Sequence, residues 1–428
     1  MMAELRDRAR AVIEANHTGR WTKPSPAQYP HQWNWDSAFI SLGWAEFDWG
    51  RATGEIESML AAQWRDGMVP HVHYDRAHLE DYFPGPDRWP GAQARVRHLG
   101  ELTSGISNPP VLAIAAARIG AGQPDLDQRH AFWRRVLGPL EGYLGYLLGS
   151  RQASGSPLVC VVHPWETGWD NSPRWDHLKA AGLKPGRPYQ RLDTKSVAAA
   201  QRPSGRDYDS YIALAEIIDA GGYRLSNYLA KTPFVVNDVV FDALTLRAAT
   251  EVNGIARALD EAEPFSEGVL ATFGLAFEEF HWSRRLGTYV DFDVVAGQPI
   301  ETPSAAGLAA LAGGFIPAPR ARAMLEAYLS RGASESPLAT VPPDSPDFNP
   351  VLYWRGPTWI NVNWLAHEGL LAAGLTGEAK ALRSATVGLV ERGGFAEYFN
   401  PLDGSPCGIQ GFSWSAALIL DLLRHPSP

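Results

Sequence analysis

The stretch WETGWDNSPRW, residues 165–175, brings together side chains of types that can do acid–base chemistry. Its two carboxylates, Glu166 and Asp170, are four residues apart and stand among three tryptophans. Because Gly168 and Pro173 disfavour both a regular helix and a strand, the stretch is predicted to be a loop. Indole rings that surround an acid remove water from it, which disfavours the ionised form and raises the pKa toward neutrality. Asp170 or Glu166 is therefore a candidate general acid.

A second acidic group in aromatic surroundings, Glu397, lies near the C-terminus in the stretch EYFNPLDG. The turn-forming pairs Asn400-Pro401 and Asp403-Gly404 follow it, so we expect Glu397 on an irregular segment before the last helix. Two carboxylates on separate loops of one cleft are what glycoside hydrolysis requires, because one protonates the departing oxygen and the other attacks or removes a proton from water. The loop at residues 165–175 and Glu397 supply such a pair.

The composition narrows the class of protein and of partner. Lys and Arg total 38 against 47 Asp and Glu, a formal net charge of −9, and no concentrated basic run is present. This argues against nucleic acid as a partner. No window approaches the roughly 18 apolar residues of a membrane span, and the N-terminus lacks the apolar core of a secretion signal. With only two cysteines, Cys160 and Cys407, we expect a cytoplasmic protein, although one disulfide stays open.

Aromatic residues are the informative excess, with 16 Trp, 14 Tyr and 16 Phe concentrated in stretches that Pro and Gly interrupt. Ring faces stack on the apolar C–H faces of sugars, so this pattern favours a small-molecule glycoside as the partner. The sequence indicates no cofactor and no metal. His71 and His73 resemble a metal-binding pair, but no third ligand is evident. The oligomeric state is left open, and a homo-oligomer is compatible with the sequence.

Helical periodicity dominates the chain and predicts about twelve or thirteen helices, including long ones over residues 208–232 and 234–261. Strand patterns are few and short, and they fall at residues 70–74, 158–162 and 287–294.

The predicted fold is therefore all-α, and we favour a single (α/α)6 toroid that spans residues 1–428 as one domain. A closed ring of antiparallel helix pairs would bring alternate aromatic loops to one end, where they form one cleft. An open solenoid, the alternative, predicts a fixed sequence period, and the sequence shows none. The long loop insertions are expected at about 65–105, 150–207 and 283–302.

Four separated motifs carry a resemblance that extends over nearly the whole chain: QWNWDSAF, WETGWDNSPRW, YWRGPTW and EYFNPLDG. Together they resemble glycoside hydrolase family 63, and most closely its small bacterial branch that hydrolyses mannosylglycerate and glucosylglycerate. The resemblance implies an inverting (α/α)6 enzyme with Asp170 as general acid and Glu397 as general base. Glu166 remains the competing acid, with ordering of the loop as its other role. Inversion implies a water between carboxyls roughly 6.5–9.5 Å apart.

By position, the resemblance also implies a set of substrate-binding residues. Those placed around the hydrolysed sugar are Tyr29, Trp33, Trp35, Asp36, Tyr353 and Trp354, and Asn108 and Trp169 are also expected to bind the substrate. Those facing the glycerate are Arg202, Tyr208 and Gln410. The family usually has Gln at the position of Asn108, so a hydrogen bond near the sugar is expected to be shortened there, which bears on which sugar is preferred.

Other interpretations of the sequence remain open. Asp170 could cap a helix or pair with Arg174, Glu397 could be a surface residue at a helix end, and Trp33 and Trp35 could be plain core residues. A neutral disaccharide such as kojibiose or trehalose is an alternative substrate, although the PGGRF-type signature of trehalases is absent. The same architecture also fits a non-catalytic sugar-binding protein. A sugar epimerase that uses His71 and His163 is a further alternative.

Overall fold

The computed structural model describes residues 2–153, 155–332 and 337–424. Sixteen α-helices occur in these ranges, and in chain order they are α1 Met2–Asn16, α2 Asn34–Trp44, α3 Trp49–Leu60, α4 Val111–Ala121, α5 Leu126–Ser150, α6 Pro164–Thr167, α7 Asp176–Ala180, α8 Gly205–Ala220, α9 Leu225–Tyr228, α10 Val239–Ala258, α11 Glu267–His281, α12 Ala306–Ala309, α13 Ala318–Leu329, α14 Ile360–Ala372, α15 Thr376–Gly393 and α16 Ser413–Arg424.

Six of these helices form a closed inner ring. In ring order α2 contacts α4, α4 contacts α10, α10 contacts α12, α12 contacts α14, α14 contacts α16, and α16 returns to α2. A single turn of 3₁₀ helix at Ala310–Gly313 extends α12 and fills the space between α10 and α14. The predicted all-α fold, an (α/α)6 toroid, is confirmed by this closure.

Six further helices form the outer ring, and each packs on the inner helix beside it. α1 lies on α16, α3 on α2, α5 on α10, α11 on α10, α13 on α12, and α15 on α14. The long helix α8 contacts α7 and α9 and belongs to neither ring. The helices of the two layers differ in how much of their surface is buried. Every residue of α2 is buried, whereas α3 buries one stripe and exposes the other, as an amphipathic surface helix does. No helix in the described ranges is long and apolar enough to cross a membrane.

Ten short strands in the described ranges tie the loops together in four antiparallel sheets. The strands are β1 Gln32–Trp33, β2 Val72–His73, β3 Cys160–Val161, β4 Val236–Asn237, β5 Trp282–Ser283, β6 Thr288–Tyr289, β7 Asp291–Asp293, β8 Gln298–Ile300, β9 Ala396–Phe399 and β10 Pro406–Gln410. Strands lie within all three predicted regions. Glu397 lies on β9, not on an irregular segment as predicted, because Tyr398 pairs with Cys407 in a hairpin.

Two predicted helices are shorter in the structure, for local reasons. The helix expected over residues 208–232 ends at Ala220, because Gly222 adopts a left-handed conformation with φ +61°. The helix expected over residues 234–261 begins only at Val239, because residues 236–237 pair as a strand. The Asp238 side chain then caps the helix by accepting a hydrogen bond from the Phe241 N–H at 2.7 Å.

Candidate active site

Four inner helices, α2, α4, α14 and α16, begin beside one cavity, whose interior together with its opening to solvent measures about 620 Å³. Eleven of the thirteen site residues predicted from the sequence line the cavity: Tyr29, Trp33, Trp35, Asp36, Asn108, Asp170, Arg202, Tyr208, Tyr353, Trp354 and Glu397. Asp170 and Glu397, which are far apart in the chain, therefore face the same space.

Trp169 and Gln410 do not line the cavity. The Trp169 ring is fully buried and stacks on Trp354 with ring centres 5.3 Å apart, so it supports the wall from behind. Gln410 is exposed at the end of β10, where its side-chain amide donates to the Gly393 carbonyl at 3.4 Å. A shift in the pairing register between Cys407 and Gln410 determines which way this side chain points.

The Glu397 carboxylate lies at the bottom of the cavity and is 1% exposed. One oxygen, Oε1, accepts hydrogen bonds from the Tyr29 hydroxyl at 2.7 Å and from Arg202 Nη1 at 3.4 Å. The other, Oε2, accepts from the Ile409 N–H at 3.3 Å. Burial raises the pKa of Glu397 above its usual range, while the Arg202 charge and the Tyr29 hydrogen bond act in the opposite direction. These donors favour the ionised form.

The Asp170 carboxyl has a different environment. It is 9% exposed, and among the described residues no other residue donates a hydrogen bond to its carboxyl oxygens. Burial raises the pKa of Asp170 to about 7, although the charge of Arg202 works against this. The Tyr211 hydroxyl fixes the loop by donating to the Asp170 carbonyl at 2.8 Å. Two carboxyls whose surroundings differ in this way suit one proton donor, Asp170, and one proton acceptor, Glu397.

Glu166, the competing acid in the sequence, lies outside the cavity in a buried ion pair. Arg151 donates to both of its carboxylate oxygens, at 2.8 and 2.7 Å. The N–H groups of Ser107 and Val162 add hydrogen bonds of 3.0 and 2.8 Å. Burial alone would raise the pKa of Glu166, but Arg151 and these donors lower it. Glu166 therefore orders the loop as an anion.

Arg174 holds the same loop and does not pair with Asp170. Its Nη1 donates to Asp238 at 2.9 Å and to Asp291 at 2.8 Å. Its guanidinium also lies over the Trp169 and Trp175 rings, at 4.8 and 4.3 Å from their centres. These contacts tie the loop to β7 and to the start of α10, so the position of Asp170 is fixed by the fold.

Stacked indole rings form one wall of the cavity. Trp354 and Trp359 are nearly parallel, with ring centres 3.7 Å apart and planes 5° apart. Trp33 and Trp35 both line the cavity and belong to the buried core, so packing and lining are not alternatives for these two residues. Tyr82, Trp165, Trp359, Phe412 and Trp414 also line the cavity, although none of them was among the substrate-binding residues named from the sequence.

The histidine pair does not form a metal site. His73 Nε2 lies 2.6 Å from Glu101 Oε2, and only His71 lines the cavity. In the part of the chain that the structure describes, no three His, Cys, Asp or Glu side chains are close enough to hold a metal. Burial lowers the pKa of His71 to about 3 and that of His163 to about 4. His163 lies outside the cavity, against the Tyr211 carbonyl at 2.9 Å, which does not favour an epimerase.

Gly408 on the hairpin gives a direct test of how closely Glu397 is positioned. Its φ is +68°, and a Cβ atom there would lie 2.4 Å from Glu397 Oε2. Gly408→Ala should displace the carboxylate and reduce kcat by about 10²-fold, because small misplacements of a reacting group are costly. Steady-state kinetics and a thermal melt measure the effect. Gly411→Ala is the matched control, since its φ is +70° and a Cβ atom would meet no atom of the described part of the chain within 4 Å. Equal losses in both variants would show that backbone strain alone is responsible.

Comparison with known proteins adds to this geometry. A family model described as the mannosylglycerate hydrolase MGH1-like glycoside hydrolase domain matches residues 29–415. The mannosylglycerate hydrolase of Thermus thermophilus is 39% identical over 413 residues, which cover 96% of this chain and 98% of the relative. The glucosylglycerate hydrolase of Mycolicibacterium hassiacum is 35% identical over 446 residues, with 98% of each chain covered.

A solved structure gives the same result in three dimensions. The crystal structure of a GH63 mannosylglycerate hydrolase from Thermus thermophilus, in complex with Tris and D-glycerate, superposes with a TM-score of 0.90 at 38% identity. The match covers 97% of this chain and 99% of that one. Similarity of this extent shows that the chain belongs to glycoside hydrolase family 63 and is a glycoside hydrolase.

Proposed function

We propose that this chain hydrolyses an α-glycoside of a small acidic alcohol, mannosylglycerate or glucosylglycerate, with inversion at the anomeric carbon. The single observation that carries the proposal is the pair of carboxyls with contrasting hydrogen-bond environments on one aromatic cavity. The names of the relatives at 39% and 35% identity support this choice of substrates.

In the proposed reaction, protonated Asp170 donates its proton to the glycosidic oxygen as the bond from that oxygen to the anomeric carbon breaks. Glu397, ionised, removes a proton from a water that attacks the opposite face of the sugar. The products are the free sugar in the inverted configuration and glycerate, whose former glycosidic oxygen is now a neutral hydroxyl group. Asp170 ends as the carboxylate and Glu397 as the acid, so one proton must return through solvent before the next turnover.

Arg202 supports an acidic leaving group. Among the described residues it is the one Arg or Lys that lines the cavity. Its guanidinium lies over the Tyr353 ring, 4.2 Å from the ring centre, and this contact holds the planar fork in place. A planar cation of this kind suits a carboxylate. In our proposal Tyr208 lies beside the glycerate as well, whereas Gln410 no longer belongs to this group.

Asn108 is proposed to contact the sugar through its oxygen. The side-chain amide donates to the carbonyls of Trp165 and Glu166, at 3.2 and 3.4 Å, so the nitrogen is already used to hold the loop. Asn108 Oδ1 is buried, and none of the residues in the described ranges donates a hydrogen bond to it. A buried acceptor without a donor is costly, and a sugar hydroxyl would satisfy it.

We also propose that residues 1–428 act as one catalytic domain, since one continuous buried core joins the inner and outer rings. The two cysteines, Cys160 and Cys407, are buried and free, which fits a reducing cytoplasm.

The test is a substrate panel followed by NMR. Mannosylglycerate, glucosylglycerate, trehalose and kojibiose are each incubated with the enzyme, and the anomer first released is recorded before mutarotation. We expect hydrolysis of one or both glycerate glycosides with the β-anomer appearing first. Release of the α-anomer would contradict inversion. Faster hydrolysis of trehalose or kojibiose would contradict the acidic leaving group, and no hydrolysis of any glycoside would contradict the proposal as a whole.

A further inference from the structure

A line of alternating charges connects the loop before α8 to the cavity. Arg191 donates to both carboxylate oxygens of Asp193, at 2.9 and 2.7 Å. Asp193 Oδ2 in turn accepts from Arg202 Nε at 3.3 Å. Arg202 Nη1 then contacts Glu397 Oε1 at 3.4 Å. The line therefore ends at the carboxylate that we propose as the base.

The Asp193 carboxylate is well placed to act on Arg202. It is 5% exposed, and the Asp193 carbonyl accepts from the Gln28 side chain at 3.0 Å, which fixes the backbone. Burial would raise the pKa of Asp193, but the hydrogen bond from Arg191 and the charge of Arg202 lower it. Asp193 is thus a buried anion whose charge is partly balanced by Arg191.

Arg202 acts on both proposed catalytic groups. Its charge lowers the pKa of Asp170 and of Glu397, against the burial that raises each of them. A guanidinium without a partner would favour the ionised form of both carboxyls. That suits the base but removes the proton that the acid must donate. A counter-charge on Arg202 is therefore needed if Asp170 is to remain protonated near neutral pH.

We propose that Asp193 is a positioning residue that holds Arg202 and, by balancing its charge, sets the pH range in which Asp170 and Glu397 work together. Arg191 pairs with Asp193 and partly neutralises its charge, which weakens the effect of Asp193 on Arg202. The inference rests on the proposed function, because it takes Asp170 as the acid and Glu397 as the base.

The other titratable groups around these carboxylates are the same in every variant of Asp193 or Arg191. The charged or ionisable ones are Asp36, His71 and Asp207. Burial raises the pKa of each nearby phenol, and these are Tyr29, Tyr82, Tyr189, Tyr208, Tyr211, Tyr353 and Tyr398. Because their pKa values are raised, these phenols stay protonated at the pH values of the assay and do not move the profile.

Two single substitutions should move the pH profile of kcat/KM in opposite directions. In the unchanged enzyme kcat/KM should fall above a pH of about 7, because Asp170, with its pKa near that value, loses its proton. Asp193→Asn removes a negative charge, so both pKa values fall and the profile moves to lower pH by roughly one unit. Its activity is therefore reduced at neutral pH and recovered at acidic pH. Arg191→Gln removes a positive charge and should move the profile to higher pH.

Controls separate charge from structure. Asp193→Glu keeps the charge and should keep the position of the profile even if kcat falls. Lys195→Gln removes an exposed positive charge from the same loop and should leave the profile in place. An α-glycosyl fluoride has a leaving group that departs without a proton, so the pH dependence of its hydrolysis reports the ionisation of Glu397 and not that of Asp170. This dependence should also move to lower pH in Asp193→Asn.

The inference is overturned if Asp193→Asn lowers kcat/KM by the same factor at every pH, since loss of packing alone would do that. It is also overturned if Arg191→Gln moves the profile in the same direction as Asp193→Asn. Either result leaves the proposed function intact, provided that Asp170→Asn and Glu397→Gln each lower hydrolysis of the glycerate glycoside by at least about 10³-fold. Near-normal hydrolysis of that glycoside by either variant would instead contradict the proposed function.

Discussion

Asp170→Asn should lower kcat for the preferred glycerate glycoside by about 10³-fold, because proton transfer from a positioned acid contributes roughly 10²–10⁴ to such rates. Asn has nearly the same shape as Asp and carries no ionisable proton, so KM should change only a few-fold. The same variant should hydrolyse an α-glycosyl fluoride at close to the unchanged rate, since fluoride leaves without protonation. Initial-rate kinetics on the two substrates measure the contrast.

The contrast also identifies a wrong assignment. A uniform loss on both substrates would mean that Asp170 binds or orders the site and does not donate the proton. Asp176→Asn is a useful control, because this carboxylate lies close by in the chain and pairs with Arg355 at 2.7 Å at the surface of the same loop region. It should leave kcat within a few-fold of the unchanged value.

Glu397→Gln should have the larger effect and lower kcat by about 10⁴-fold on the glycerate glycoside and on the fluoride alike. Both reactions need the attacking water that Glu397 deprotonates. Gln keeps the volume and can still meet Tyr29 and Ile409, so the fold and the affinity for the sugar should remain. Kinetics on both substrates, a thermal melt and calorimetric titration with the free sugar test these three statements.

If the Glu397→Gln variant hydrolyses the fluoride at the unchanged rate, Glu397 is not the base. Asp36 would then be the next carboxyl to examine, since it lines the same cavity and burial raises its pKa well above the usual range. Tyr29→Phe is a milder companion variant. It removes the donor at 2.7 Å from Glu397 and leaves the carboxylate in place, so its loss should be much smaller.

Much of the ring could be predicted from the sequence because the two helix layers differ in composition. Residues of α2 and α16 are apolar on nearly all sides, and such helices are stable only when they are enclosed by others. The segment at 165–175 was also recognisable, because carboxylates next to indoles are unusual in connecting segments. It is a loop only at its centre, since residues 165–167 belong to α6 and residues 173–175 form a turn of 3₁₀ helix. Both patterns are formed by residues close together in the sequence, so they can be recognised without the structure.

The details that sequence reasoning missed depend on contacts between distant segments. Nothing in the sequence near Gln410 shows the shift in register that turns it to the surface. Trp169 lies behind Trp354 because of the way the YWRGPTW segment packs, which the motif itself does not reveal. Asp193 sits in a polar stretch with no motif, and its role follows only from its distance to Arg202. The aromatic content of the loop around Tyr82 was the available signal for that residue.

The four inner helices that begin beside the cavity have an electrostatic consequence. A helix start carries roughly half a positive charge from its unpaired N–H groups, so these starts add to the potential that Arg202 creates. In a protein with a formal net charge of −9, whose cavity is also lined by Asp36, Asp170 and Glu397, these helix starts and Arg202 offset part of the repulsion that an anionic solute would meet on entry. An acidic leaving group can therefore be accepted beside three carboxyl groups without a large basic surface.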